Sequence, residues 1–557
     1  MLQAWRREAE APGGSTHNFH APMRFLKRLA ARQPGLRRLC FLLLGAALGA
    51  CSSSEEEAQK DNMLEVRPRA IGFSPLGENT TTFKVMASGF ANRAEADAVQ
   101  LELVLEGAPS WLLLGPALSE VADNSKTFSV SLQYVGQGFM EAPAMLHLWL
   151  SHMPEGYGPA ATQTQSIRIV VGNGQKEHPI PLNQDNIKAF NSYANTQEGL
   201  SQHYKLIENI VLPPPQGEPS NWTPIGVYAY PISTPFVGSF DGDGFSISGL
   251  VMEVAEEEQQ GFFGQSSGEI KNLGLIELHV AGGEYIGGLV GNNLGTVQNC
   301  YATGNVSGYA EVGGLVGSNS GRIEKSHATA NVSASLGFVG GLLGDNHGGG
   351  RVEKSYATGN VSGRYNVGGL VGNNGNASSV ENCYATGNVE GRESAAAGLV
   401  ALNDGGWVQN SYATGSVHGS SDVGGVVGHS EILYSPESRV QGCVALNPSL
   451  RQASDESAYI GRVLGSNCDI YEPDEACSTL SNNHARHNMV LSYNNGSNSY
   501  SPHNSLSSKD GLASADYNRE TFWRGLGWDF STVWQWGSKG LPILRELSGE
   551  QNHTVLP

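Results

Sequence analysis

One unit recurs six times between Gly287 and Gly428, and its period constrains the fold more than any other feature of the chain. The unit opens GGLVG at 287–291 and 313–317, GGLLG at 340–344, GGLVG at 368–372, AGLVA at 397–401 and GGVVG at 424–428, in steps of 26, 27, 28, 29 and 27 residues. Each of the first five openings leads to a second block, VQNCYATGNV, IEKSHATANV, VEKSYATGNV, VENCYATGNV and WVQNSYATGSV; the sixth leads to a degraded copy, VQGCVALNP. Short runs of Leu, Val and Ile ended by Gly or Asn favour short strands over helices. Glycines between them are expected to supply positive φ at turns. One such coil cannot bury its apolar side chains alone, whereas stacked coils align equivalent positions about 4.8 Å apart.

The slot of Val297, Ile323, Val352, Val380, Val408 and Val440 is expected to extend upstream to Ile247 and Ile270. That gives eight rungs, a rod roughly 38 Å long. Asn293, Asn319, Asn346, Asn374 and Asn403 share one slot, and Asn305, Asn331, Asn360 and Asn388 another. Their amides either hydrogen-bond from coil to coil or cap their own turns. Cys300, Cys383 and Cys443 occupy a slot otherwise held by Ser326, Ser355 and Ser411. Cys300 and Cys383 are three rungs apart, roughly 14 Å, beyond disulfide reach, and read as small packing residues. Val297 and Cys300 differ by three, so either the chain bends between them or the cysteines face outward.

These repeats resemble the GLUG motif, named for its Gly-Leu-any-Gly core, seen here as GGLVG followed by YATGNV. Residues 190–250, from FNSYANTQEGLSQHYKLIENI through NWTPIG to FVGSFDGDGFSISGL, resemble the leader of such repeats, and GWDFSTVWQW…GLPIL at 527–544 their closing segment. The resemblance implies a surface adhesin-like protein. Some relatives join the repeats to an IgA-cleaving metallopeptidase, but its H-E-x-x-H signature is absent from this sequence.

The expected fold is all-β: an N-terminal Ig-like β-sandwich followed by a right-handed parallel β-helix-like solenoid of GLUG repeats with a C-terminal cap. The sandwich is assigned to residues 64–172, where TTFKVMASGF, VQLELVLEG, KTFSVSLQYV, AMLHLWLSH and SIRIVVGNG alternate in hydropathy. Residues 185–286 are assigned to the leader and first coils, 287–450 to the repeats, 451–510 to a solvated Ser/Asn-rich insertion and 511–547 to the cap. Trp523, Trp528, Trp534 and Trp536 read as cover for an apolar solenoid end, in preference to a sugar-stacking platform, and Trp222 with Pro224 is placed at the opposite end.

The N-terminal segment reads as targeting. Arg24, Lys27, Arg28, Arg32, Arg37 and Arg38 precede the apolar run LCFLLLGAAL at 39–48, too short for a membrane span. Leu48-Gly49-Ala50-Cys51 resembles the lipobox of bacterial lipoproteins, which implies a signal peptide over residues 1–50 and a lipid on Cys51 anchoring the chain to a membrane. Met23 is the expected start. Residues 51–63 form an acidic tether. Ser52 in place of Asp resembles the pattern that lets lipoproteins reach an outer membrane, and Glu55-Glu56-Glu57 resembles a surface-export signal. The expected location is therefore the bacterial cell envelope, surface-exposed on the outer membrane.

A net charge of −19 argues against nucleic acid as a partner, which calls for a basic face. Export permits a disulfide between Cys468 and Cys477, and the sequence leaves both states open. HARHNM at 484–489 lacks the helix and Glu of a zinc protease, and Asp241-Gly242-Asp243-Gly244 lacks the later ligands of a calcium loop, so it reads as a turn. Arg322, Glu324, Lys325, Arg351, Glu353, Lys354 and Glu381 alternate in sign, as on a solvated face. No catalytic, metal or cofactor-binding residue is assigned. The expected function is non-enzymatic adhesion or extracellular recognition of a glycan, extracellular-matrix or cell-surface ligand. A structural stalk and a polysaccharide-active β-helix enzyme are the alternatives.

Overall fold

A computed structural model describes residues 64–154, 164–229, 232–432, 437–455, 459–468, 477–505, 507–547 and 551. The segment expected to be a signal peptide, Cys51 and the expected acidic tether lie outside the described residues. Among the described residues no helix is long and apolar enough to cross a membrane.

Residues 64–171 form two sheets, each burying one face. Thr80–Ser88 pairs antiparallel with Ser125–Tyr134 in one, and Ala144–Ser151 with Gln165–Val171 in the other. Alternate residues point inward: Phe83, Val85 and Ala87 on one strand, Leu146, Leu148 and Leu150 on another. The faces meet at Phe73 and Tyr134, whose ring centroids lie 6.0 Å apart. A short helix, Arg93–Ala98, interrupts the alternating pattern, capped by Asn92, which accepts from Glu95 N.

The remainder is a parallel β-solenoid. One complete coil runs through four strands, Glu284–Gly287, Val290–Asn293, Thr296–Gln298 and Tyr301–Gly308, and each stacks in register on its counterpart 26 residues later, a step that lengthens to 40 between Arg439 and Thr479. The sheet containing Thr296–Gln298 has eleven strands rather than the eight rungs expected. Its inward-facing column runs Ile180, Tyr204, Phe240, Ile270, Val297, Ile323, Val352, Val380, Val408, Val440 and the half-buried Leu480. Phe240, not Ile247, therefore precedes Ile270; Ile247 sits in a neighbouring sheet between Ile210 and Leu275. The first coils fill the slot with aromatic rings, which hides them from an aliphatic pattern. Phe190, Tyr204, Trp222, Phe236, Phe240, Phe262 and Phe263 form this packed start, and the helix Ile187–Ala194 brings Phe190 into it. Trp222 lies at this end, stacked on Phe262 at 4.3 Å.

Two further assignments are corrected. Residues 451–510 are not merely a solvated insertion: Ile460–Gly461, Leu464–Asn467, Thr479–Ser481, His484–Arg486 and Val490–Tyr493 add a coil on the repeats. Ile460, Val463, Leu464, Ala485, Met489 and Leu491 point inward there as in the other coils, but its polar outer positions and long connection mask the repeat. The tryptophan segment does not close the solenoid end. That end is crossed by Lys509–Gly511, with Val463 N and Leu464 N donating to Lys509 O at 3.0 and 2.8 Å. Residues 517–547 instead fold back along a flank (below).

The motif glycines serve close approach rather than positive φ. A Cβ on Gly313 would stand 1.9 Å from Val316 O, and one on Gly314 2.2 Å from Gly341 O. Where Ala397 replaces the first of these glycines, the register shifts between Ala395 and Ala396. Left-handed φ falls instead on corner residues, among them Tyr285, Glu311, Phe338, Asn366 and Asp422 at one corner and Asn299, Lys325, Lys354, Asn382, Asn410, Gly442 and Asn482 at another. The second corner is the bend that lets Val297 and Cys300 both point inward, where Cys300, Cys383 and Cys443 are buried.

Candidate binding groove

Past its inward-facing alanine, each of three successive coils runs through an Asn-Val-Ser segment, Asn305-Val306-Ser307, Asn331-Val332-Ser333 and Asn360-Val361-Ser362, and the next three read Asn388-Val389-Glu390, Ser416-Val417-His418 and Ser449-Leu450-Arg451. The valine is buried, and the alternation of a strand turns its neighbours outward. Stacking makes parallel rows of amides and hydroxyls along a groove of about 840 Å³ reaching from His279 to Arg451. The amides are fixed rather than loose. Asn360 N donates to Asn331 Oδ1 at 3.2 Å, Asn388 N to Asn360 Oδ1 at 3.0 Å and Ser416 N to Asn388 Oδ1 at 3.0 Å. Each oxygen is thus used in the coil stack, and each NH₂ is left on an exposed side chain. Glu390 is the single carboxylate lining the groove, with His279, His418 and Arg451 towards its ends.

The other asparagine slot is buried and makes a different ladder. Asn293 Nδ2 donates to Asn319 Oδ1 at 2.7 Å, and the chain of bonds continues through Asn346, Asn374 and Asn403 at 2.8 Å each. The serine slot is also a relay: Ser326 Oγ accepts from Cys300 N at 3.1 Å and donates to Glu324 O at 2.9 Å. Both are structural.

The tyrosine of each YAT block forms a column that the sequence reading missed, although its recurrence at coil spacing was visible. Tyr301, His327, Tyr356, Tyr384 and Tyr412 stack ring on ring with centroids 4.6 to 5.1 Å apart. Trp523, Trp528 and Trp534 cover it. Tyr412 Oη donates to Pro542 O at 2.7 Å, Trp528 Nε1 to Gly442 O at 3.0 Å, and Lys325 pairs with Glu546 at 2.9 Å. Trp523 and Trp534 are fully buried, so neither offers a face to a sugar.

The repeat has a match outside this chain. Residues 282–307, 308–333 and 363–390 match the family model of the GLUG motif. The chain is a GLUG-repeat protein. Its GLUG coils extend beyond the three matched segments, because the same four strands persist where the motif decays. Over 146 residues the chain is 32% identical to halomucin of Haloquadratum walsbyi, an alignment covering 25% of this chain and spanning 2% of halomucin's length. No solved structure matches.

Other residues singled out in the sequence fall as follows. Cys468 and Cys477 are joined as a disulfide, Cα atoms 5.1 Å apart. His484 holds the tyrosine slot two coils past Tyr412, beyond Val444, its Nδ1 2.8 Å from Ser514 Oγ, and Arg486 is buried in the same coil. In FDGDG, Asp241 Oδ1 accepts from Asp243 N, and Asp243 pairs with Lys205 at 2.9 Å, a turn. Arg322 bridges Glu324 and Glu353 at 2.9 and 3.0 Å on the outer side of its sheet.

Proposed function

We propose that the protein is a non-enzymatic cell-envelope lipoprotein, anchored to the outer membrane through Cys51, whose solenoid groove binds an extended, uncharged glycan of a neighbouring surface. The groove carries the reading. Over three successive coils it offers the same amide and hydroxyl pair, Asn305 with Ser307, Asn331 with Ser333 and Asn360 with Ser362, about 4.8 Å apart, as a polymer of repeating sugars would require. Each contact is weak and exposed, and several in a row supply affinity by avidity. Hydrolysis by paired carboxylates would need a partner for Glu390, and the groove lining has none.

Two experiments test this. Ser333→Trp fills the groove without touching the buried valine column. On a glycan array, the full chain is expected to bind neutral polysaccharides and the variant to lose that binding. Binding that survives the blockade, or no binding to any glycan, moves the structural stalk to first place. Protease shaving of intact cells, comparing wild type with Cys51→Ala, tests the location. Protection of the wild type until the envelope is broken would rule out adhesion to other surfaces.

A further inference from the structure

At a different corner of the coil, a cavity of about 380 Å³ opens between the glycine-rich turns and the strands that follow them. Glu311, one of the left-handed corner residues (φ 52°), and Asp345, from the second coil strand of the next turn, share its wall with Tyr285 and His347. Asp345 is already engaged: it pairs with His347 Nδ1 at 3.1 Å and accepts from Asn373 Nδ2 at 2.7 Å. Three other acceptor atoms on the wall are not. Gln259 is only 6% exposed, yet its Oε1 has no hydrogen-bond partner, and Asn292 Oδ1 and Glu311 Oε2 also lack one. All three atoms are acceptors, all three residues line the same cavity, and a buried acceptor without a donor costs about 1–3 kcal/mol. The wall holds three carboxylates, Glu258, Glu311 and Asp345, against His347 as its only basic side chain.

We infer that this cavity is a binding site for a compact, donor-rich cationic ligand, an amino sugar whose ammonium group sits between Glu311 and Gln259. The volume suits one sugar ring better than a bare ion. Among the described residues no three His, Cys, Asp or Glu side chains are placed to hold a metal ion, which disfavours a divalent cation. Tyr285 adds an aromatic wall against which a cation is stabilised. Burial, then Asp345, push the Glu311 carboxyl up to about 7, so an ammonium beside it would drive its proton off. The site stands apart from the groove, and its failure would leave the reading of that face intact.

The test is calorimetric titration of the full chain with glucosamine, N-acetylglucosamine and calcium in turn at neutral pH. Glucosamine is expected to bind at one site per chain, with an enthalpy that changes with the ionisation enthalpy of the buffer, reporting proton release. N-acetylglucosamine, which lacks the charge, is expected to bind at least about tenfold more weakly. Glu311→Gln keeps the size and backbone demands of the position and is expected to weaken glucosamine about tenfold and abolish the buffer dependence. Asp345→Asn, which retains one acceptor oxygen, provides a second variant expected to weaken binding. No glucosamine binding at millimolar concentration, equal binding of both sugars, or calcium binding that Glu311→Gln removes would each overturn the inference.

Discussion

Asn346 Nδ2 donates to Asn374 Oδ1 at 2.8 Å across one coil step, and both residues are fully buried. The same amide also donates to Gly350 O at 3.1 Å, closing the turn of its own coil. The two readings of the asparagine slots, stacking and turn capping, are thus not alternatives: one side chain does both. In the exposed slot the amide oxygen instead receives the backbone N–H of the next coil, which leaves its NH₂ on the outer face.

Breaking the buried ladder strands polar groups on both sides. Asn346→Ala leaves Asn319 Nδ2 without its acceptor and Asn374 Oδ1 without its donor. The expected cost is about 3 kcal/mol, read as a lower denaturation midpoint and faster amide exchange in the two adjoining coils. A change below about 0.5 kcal/mol would mean the ladder contributes no net stability.

The slot cysteines should be chemically silent. Burial pushes the Cys300 and Cys443 thiols up to about 12, and the Cys383 thiol moves the same way. Native protein is therefore expected to resist alkylation at all three, with labelling by mass spectrometry appearing only on unfolding. Cys383→Ser should leave stability within about 0.5 kcal/mol, since Ser326, Ser355 and Ser411 already hold the slot. Labelling in the native state would show that the coils open locally.

The tryptophan segment should act as a lateral clasp. Trp534→Ala removes a buried indole from the cluster that includes Tyr384 and Tyr412, at an expected cost of about 3–5 kcal/mol. Loss of amide protection is expected in 517–547 and along the tyrosine strands, with the valine column unaffected. Fraying that starts at the last coil would show an end cap instead.

Stability should fall as pH rises from about 4.5 through 7. Burial, then Asp345, raise Glu311 from 4.5 to about 7, and the hydrogen bond with Asp345 raises His347. Between the unfolded and folded values of Glu311 the folded chain binds the extra proton, so deprotonation favours unfolding. His347 acts in the same sense, its stabilisation complete below its unfolded value and lost as pH passes its raised folded value. Glu311→Gln is expected to remove about 2 kcal/mol of the fall in unfolding free energy between pH 5 and pH 8. An unchanged slope would show that Glu311 is solvated.

The repeat itself was legible without coordinates, because a period near 27 with a small apolar set admits few solutions other than stacked short strands. The buried valine column, both asparagine slots and the serine-cysteine slot could each be named residue by residue. What stayed hidden were positions where another side chain fills the same volume, Phe240 and Tyr204 in the first coils, and the coil within 451–510, whose inward residues are separated by polar stretches.

The sequence determined by itself that equivalent residues would stack, since one coil has too little apolar surface to fold alone. Only the tertiary structure decided which way each slot faces. A left-handed residue such as Asn299 turns Val297 and Cys300 to the same side, and no alternation rule foresees that reversal. It also decided that the tryptophans lie along the tyrosine column, because stacked rings on the outer side of a sheet present a long apolar strip that a neighbouring segment must cover. The unpartnered acceptors around Glu311 arise the same way, from Gln259, Asn292 and Glu311 on successive coils, which converge only once the coils are wound.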